Sequence, residues 1–181
     1  MKSILTEQQV ALSIKRLAHQ ILENHLHLEN TVLIGIQPRG IYVSDRIVNE
    51  LKNIQTISKI DYGKLDITFY RDDFRKKELV PSSTEINFDI ENKNVVLVDD
   101  VLYTGRTIRA ALDAMLTLGR PKDVELVTLI DRRLSRNVPI QAKYIGKTID
   151  SIASEKVLVH WKETDNKDEV LLLTEKTEKQ I

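Results

Sequence analysis

The run Asn94-Val95-Val96-Leu97-Val98 constrains the fold more than any other feature of the chain. Its consecutive aliphatic residues put apolar side chains on both faces of any strand they form. Such a strand is stable only between two covering layers, which points to helices above and below a central sheet. Thr31-Val32-Leu33-Ile34-Gly35-Ile36 and the stretch from Val124 to Ile130 have the same character. Helical patterns lie between them. Thr6-Glu7-Gln8-Gln9 has the form of a capping box, and Val10, Ile14, Leu17, Ile21 and Leu22 follow at helical spacing, predicting a helix over about 7–24. The opposite side of that helix carries Lys15, Arg16 and His19. Pro38-Arg39-Gly40 breaks the chain before a second amphipathic helix through Ile47, Val48 and Leu51. A third helix is expected over about 106–118, stopped by Gly119, Arg120 and Pro121.

Leu65-Asp66-Ile67-Thr68-Phe69-Tyr70 alternates apolar and polar and predicts a strand. The charged Arg71-Asp72-Asp73-Phe74-Arg75-Lys76-Lys77 and the turn-forming Val80-Pro81-Ser82-Ser83-Thr84 then predict a long mobile excursion over 71–88. Further short strands are expected at Tyr144-Ile145-Gly146, at Val157 to Trp161 and at Val170 to Leu173, the last two separated by Asp165-Asn166-Lys167-Asp168. Strands alternating with helices imply right-handed crossovers, hence an α/β chain with a central, mainly parallel, twisted sheet flanked by helices. With 181 residues, one domain over 1–181 is the natural expectation. Ligands of such sheets bind beyond the carboxyl ends of the strands.

Composition narrows the chemistry. The chain has no Cys, which excludes a disulfide framework, a thiolate metal site and a cysteine nucleophile. Its 27 Lys+Arg balance 27 Asp+Glu, which argues against indiscriminate nucleic-acid binding while permitting a local basic face. No apolar run approaches the roughly 20 residues that span a bilayer, and the N-terminal residues lack a signal-peptide stretch, so a cytoplasmic location is expected.

The segment Val95 to Thr107 carries the chemistry. A buried strand meets two adjacent carboxylates, Asp99 and Asp100, then a small-residue turn and a helix start. Unpaired helix N–H groups, the hydroxyls of Thr104 and Thr107, and Gly105, which lets backbone approach closely, make a phosphate cradle. The acids would repel that phosphate unless they face ribose hydroxyls or a hydrated Mg²⁺. The competing reading makes Asp99 and Asp100 helix-capping acids in an ordinary strand-to-helix loop. Neither the Walker pattern nor the three-glycine dinucleotide fingerprint is present.

Over 95–107, the apolar strand, acidic pair and Thr-Gly resemble the diphosphoribose-binding signature of the type I phosphoribosyltransferase family. The wider chain resembles one branch of that family, through Ser13 to His19, Gly35 to Tyr42, Asp66 to Asp73, Leu118 to Pro121 and Ser154 to Val157. The resemblance implies the type I phosphoribosyltransferase fold, with a mobile loop over about 71–88 and a small hood from about 131 plus N-terminal elements. It implies conversion of uracil and 5-phosphoribosyl 1-diphosphate to UMP and pyrophosphate, with Mg²⁺.

The residue roles follow from the same resemblance. Val101, Leu102, Tyr103, Thr104, Gly105, Arg106 and Thr107 would hold the ribose 5-phosphate. Asp99 and Asp100 would meet the ribose hydroxyls and, directly or through water, Mg²⁺. Pro38, Arg39 and Gly40 would form the pyrophosphate turn through backbone N–H groups and a strained or cis peptide, with Pro38 standing where a hydroxyl residue is usual. Arg71 would close over the diphosphate. Asp131 and Arg132 would meet the base, and Tyr103, standing where purine-using relatives carry an acid, favours a pyrimidine. The loop Arg133-Leu134-Ser135-Arg136-Asn137 is one residue longer than the family pattern.

Relatives in this branch also bind a leader mRNA hairpin in response to UMP, which makes Lys15, Arg16, His19, Arg133 and Arg136, with Lys143, candidate RNA contacts. Lys15 stands where the branch tends to have Thr. The branch habit implies a homodimer or higher homo-oligomer. Trp161 and Phe69 are read as core or interface packing. The competing functional readings are an RNA-binding or nucleotide-sensing regulator with little catalysis, and a phosphoribosyltransferase for another base.

Overall fold

The computed structural model describes residues 1–26, 28–54, 60–72 and 81–174. In chain order the elements are β1 (Lys2–Leu5), α1 (Glu7–Asn24), β2 (Thr31–Ile36), α2 (Gly40–Ile54), β3 (Asp61–Leu65), β4 (Asn94–Leu102) and α3 (Arg106–Met115). They continue with β5 (Asp123–Arg132), β6 (Tyr144–Ile149), β7 (Glu155–His160), α4 (Lys162–Asp165) and β8 (Glu169–Thr174). Five strands form one parallel sheet in the order β3-β2-β4-β5-β6. A small antiparallel sheet, β1-β8-β7, joins the N-terminal strand to the C-terminal pair.

The two-sided apolar strands divide their side chains between two cores, as the period of two requires. Val96 and Val98 join Leu33, Val127 and Leu129 beneath α1 and α2. Val95 and Leu97 join Ile34, Ile36 and Leu126 against Ile108, Ala111 and Met115 of α3. Each fully buried aliphatic side chain contributes about 1.5–3 kcal/mol, so this alternation is what fixes β4 at the centre. Helix α1 begins as expected: Thr6 Oγ1 accepts the Gln9 N–H and the Gln9 side chain accepts the Thr6 N–H.

Because α2 follows β2 on one face and α3 follows β4 on the other, the connections diverge between β2 and β4. A crevice opens there at the carboxyl edge, which is where open α/β sheets bind ligands.

Several local expectations are corrected. The ladder strand ends at Leu65 instead of running from Leu65 to Tyr70. Asp66 Oδ1 accepts both the Thr68 N–H at 3.1 Å and the Thr68 hydroxyl at 2.7 Å, a local turn that competes with sheet pairing. A 3-10 turn over Thr68–Tyr70 follows. Phe69 is 68% exposed and so is not core packing, whereas Trp161 is fully buried against Tyr42. Of the expected excursion over 71–88, residues 73–80 lie outside the described residues. Its far end returns to the sheet, with Glu85 bridging Lys64 and with Ile86 and Phe88 packed on the α3-side core. Helix α3 ends at Met115, ahead of the expected 118, and β1 is an element that the sequence patterns do not predict.

Candidate active site

The acidic pair belongs to a strand, not to a capping loop. β4 stays in the ladder beyond it, with Val101 opposite Ile130 and Leu102 opposite Asp131. Helix α3 is capped by Gly105, with no side-chain cap. The capping-acid reading therefore fails, and strand alternation sends Asp99 and Asp100 to opposite sides of the sheet edge. Asp99 faces the α3 side, where it lines a cleft of about 300 Å³ with Arg71, Thr104, Gly105 and Thr107. Asp100 faces the α2 side, where its Oδ2 accepts the Arg39 Nε–H at 3.0 Å.

Both carboxyls are buried, with 6% and 8% exposure. Burial pushes Asp99 well above the usual carboxylate range, and the charge of Asp100 adds to the rise while Arg71 opposes it. Burial also raises Asp100, and the Arg39 guanidinium counteracts part of that. Two desolvated oxygen-donor groups in one crevice attract ribose hydroxyls or a hard cation.

The turn after β4 contains the other half of the cleft. Gly105 has φ of 85°, a conformation strained for any residue with a Cβ. From there the first turn of α3, whose leading amides have no intrahelical partners, lines the cleft with Arg106, Thr107 and Ile108. Thr104 Oγ1 accepts the Arg106 N–H at 3.4 Å, and the Arg106 side chain pairs with Asp72 across the cleft mouth. Leu102, expected in the same cradle, is buried in the core, and its N–H donates to Thr128 Oγ1 at 3.1 Å. Val101 and Leu102 nevertheless line the cleft beside Tyr103 to Thr107.

The turn Pro38-Arg39-Gly40 lies beside the acids because β2 and β4 are neighbours in the sheet. The Gln37–Pro38 peptide is cis. Gly40 is required by close approach: a Cβ there would lie 2.4 Å from the Val98 carbonyl oxygen and 3.0 Å from Asp99 Cα. The resemblance gives Arg39 a backbone role, but its side chain is equally engaged. Beyond the Asp100 contact, its guanidinium donates to the Val159 carbonyl of β7, tying the turn to the small sheet.

Asp131 and Arg132 end β5 near the cleft, with their polar atoms largely committed to the protein. Arg132 is 4% exposed. It donates to Ser151 Oγ at 2.7 Å and to the carbonyls of Ile152 and Glu155 at 3.0 and 2.8 Å. Its guanidinium carbon lies 3.8 Å from the centre of the Tyr103 ring. Asp131 pairs with Arg136. Sequence patterns miss Ser151 and Glu155, because only the path of the chain after β6 brings them to Arg132. A second cleft, of about 380 Å³, opens beside Tyr103 and Thr104 and is bounded by Leu134, Asn137 and Ile152.

The candidate RNA residues divide. Lys15, Arg16 and His19 are exposed on one side of α1. Arg16 leans on the sheet edge, donating to the Ile145 carbonyl at 3.1 Å and to that of Gly146. Arg133 is 62% exposed and pairs with Asp150. Lys143 pairs with the buried Glu125, and Arg136 is folded inward onto backbone carbonyls.

A doubly covered parallel sheet, with an acidic pair near the carboxyl end of its central strand and a glycine-capped helix start beside it, is the arrangement of a phosphoribosyltransferase. The family model for the phosphoribosyl transferase domain matches residues 1–164, and the chain belongs to that family. Among its relatives, the chain is 42% identical over 171 residues to the bifunctional protein PyrR of Bacillus cereus (strain AH820), covering 92% of this chain and 94% of the relative. It is equally identical, at 42% over 171 residues, to the bifunctional protein PyrR of Clostridioides difficile (strain 630), covering 93% and 96%. The fold is shared with a hypoxanthine phosphoribosyltransferase from Staphylococcus aureus, at TM-score 0.70 and 21% identity over 97% of this chain and 94% of that one. It is also shared with the Trypanosoma cruzi hypoxanthine phosphoribosyltransferase in complex with IMP, at TM-score 0.71 and 18% identity over 99% and 93%.

Proposed function

We propose that the protein transfers the phosphoribosyl group of 5-phosphoribosyl 1-diphosphate to uracil, forming UMP and releasing pyrophosphate. The observation that carries this reading is the single cleft in which Asp99, Arg71 and the Gly105 helix start converge. The bond from C1 of the ribose to the diphosphate oxygen breaks, a bond from C1 to uracil N1 forms, and the N1 proton is lost. Positive charge grows on the sugar and negative charge on the leaving group, so orientation and electrostatics supply the catalysis.

Within that scheme the amides and hydroxyls from Tyr103 to Thr107 receive the 5-phosphate. Asp99 and Asp100 accept hydrogen bonds from the ribose hydroxyls and stabilise positive charge at the sugar. Pro38, Arg39 and Gly40 border the diphosphate, and Arg71 meets it from the opposite wall. Asp131 and Arg132 frame the base side, acting through Tyr103 and the 151–155 backbone they hold in place. Asp99 and Asp100 suit Mg²⁺, which binds through one or two carboxylates plus substrate phosphates. Among the described residues no group of three or more acidic or histidine side chains forms a closed metal cage. When bound, the ion neutralises the departing diphosphate.

The relatives are called bifunctional. The second activity we propose is UMP-responsive binding of a leader mRNA hairpin, through Lys15, Arg16 and His19 on α1 with Arg133 along the same sheet edge. Self-association into a dimer or higher homo-oligomer in the cytoplasm belongs to the same reading. Among the described residues, no helix is long and apolar enough to cross a membrane.

Purified protein offered Mg²⁺, 5-phosphoribosyl 1-diphosphate and a mixture of free bases tests the enzymatic reading. Uracil should disappear and UMP accumulate, with Asp100→Asn strongly impaired. Consumption of hypoxanthine or guanine instead of uracil rejects the pyrimidine assignment. Gel-shift titration of the leader RNA with and without UMP tests the second activity, and affinity indifferent to UMP and hairpin sequence rejects it.

A further inference from the structure

Arg136 looks from sequence like a surface cation, yet its side chain is only 19% exposed and points into the molecule. Its guanidinium is nearly saturated. Nε donates to the Ile140 carbonyl at 3.0 Å, and Nη1 donates to the carbonyls of Leu102 at 3.2 Å, Arg132 at 3.1 Å and Tyr103. Nη2 pairs with the Asp131 carboxylate. The next two residues continue the contact, because the N–H groups of Asn137 and Val138 both donate to the Thr104 carbonyl, at 2.9 and 3.1 Å.

Three successive carbonyls of the turn after β4, those of Leu102, Tyr103 and Thr104, are therefore taken by one short segment, 136–138. In a planar trans peptide the C=O of one residue and the N–H of the next point in opposite directions. Pinning those three carbonyls to one side turns the N–H groups of Tyr103, Thr104 and Gly105 to the other. That other side is the cleft shared with Arg71, Asp99 and Thr107. Gly105 fits the same arrangement: a Cβ there would lie 3.3 Å from both the Cβ and the carbonyl oxygen of Val138. The loop is held against the 136–138 segment at van der Waals distance.

We propose that Arg136 is a positioning residue for the pentose 5-phosphate, orienting the loop amides that receive it, and not a contact for RNA. This assignment rests on the phosphoribosyl-transfer reading, and it predicts that removing the guanidinium is felt at the phosphate end of the crevice and not at the pyrophosphate turn around Arg39. A purely structural arginine would not make that distinction.

Calorimetric titrations of wild type, Arg136→Gln and Arg136→Lys in Mg²⁺ buffer, with UMP and separately with pyrophosphate, test it. UMP affinity should fall on the order of 10-fold or more in Arg136→Gln and less in Arg136→Lys, as expected when charge-assisted hydrogen bonds are removed or partly retained. Pyrophosphate affinity should stay within about twofold, and in turnover the KM for 5-phosphoribosyl 1-diphosphate should rise more than kcat falls. Unchanged UMP affinity in both variants, beside normal wild-type binding, overturns the positioning role and leaves the enzymatic reading intact. A wild type that binds neither UMP nor 5-phosphoribosyl 1-diphosphate overturns the enzymatic reading, and this assignment with it. Should Arg136→Gln fail to fold, Arg136→Lys decides: parallel loss of UMP and pyrophosphate affinity makes Arg136 merely structural.

Discussion

Arg39, in the turn after β2, and Asp100, near the carboxyl end of the neighbouring β4, meet through a 3.0 Å hydrogen-bonded ion pair, while the same guanidinium reaches the Val159 carbonyl. One side chain thereby joins the turn after β2, the acidic end of β4 and the small antiparallel sheet. The Arg39 side chain is 46% exposed and that of Asp100 only 11%, so the pair matters more to the state of the acid than to the stability of the fold.

Replacing Arg39 with Gln should therefore lower kcat/KM on the order of 10² while shifting stability by no more than about 1 kcal/mol. Arg39→Lys should recover only part of the loss, because an ammonium cannot reproduce the planar fork. Steady-state kinetics beside thermal melting checks this; equal losses in activity and melting temperature would contradict it.

Gly40→Ala should damage both folding and catalysis. The added methyl group would stand 2.4 Å from the Val98 carbonyl oxygen, which is backbone and cannot swing aside. Overpacking of this kind costs about 1–3 kcal/mol. For a chain of this size that lowers the melting temperature by about 2–4 °C per kcal/mol, and the displaced end of β4 should also weaken binding of 5-phosphoribosyl 1-diphosphate. Thermal melting and substrate titration of the variant check both effects.

A buried polar cluster at the amino edge of the sheet should set part of the acid stability. Glu125, 7% exposed, receives hydrogen bonds from His25 at 2.8 Å and Tyr144 at 2.6 Å, and pairs with Lys143; Thr31 lies 3.2 Å from the other His25 ring nitrogen. Burial works to raise its carboxyl, but the hydrogen bonds from His25, Lys143 and Tyr144 outweigh that and hold it below the usual range. A group depressed in the folded state stabilises fully above its unfolded pKa, about 4.3, and loses that contribution as pH falls through the lower folded value. Glu125→Gln should cost about 1.5–3 kcal/mol at neutral pH and flatten this component of the stability profile below pH about 4.3. Urea unfolding across the acid range up to neutrality measures both effects.

Lys15→Ala combined with Arg133→Ala should weaken leader RNA binding and reduce the slope of log affinity against log salt, by about 0.7–0.9 for each phosphate no longer neutralised. Both side chains are exposed, and the Arg133–Asp150 pair contributes little to stability. Retained UMP formation with diminished RNA affinity would separate the two proposed activities. An unchanged salt slope would remove this edge of the molecule from RNA recognition.

The local signals proved legible wherever they coincided with the tertiary demand. Thr6 and Gln9 announce the start of α1 through a capping box that forms without help from the rest of the chain. Val95 to Val98 announce a doubly covered strand because consecutive aliphatics bury both faces in no other way. At Asp66 a side-chain turn replaces the strand that alternation suggests, since a local acceptor can outcompete a ladder partner. Arg132 and Arg136 resemble neighbouring surface cations along the chain, but their acceptors lie on segments that only folding brings near.

The layered α/β class and the glycine-bearing turn beside paired acids are legible in the chain alone, because strand period, helix capping and backbone conformation are short-range properties. Folding alone gives Asp99 and Asp100 different neighbours, makes Arg39 span two sheets, and brings segment 136–138 onto the carbonyls of Leu102, Tyr103 and Thr104. Those outcomes depend on the neighbour order of strands and on carbonyls contributed from distant segments, which no local pattern encodes.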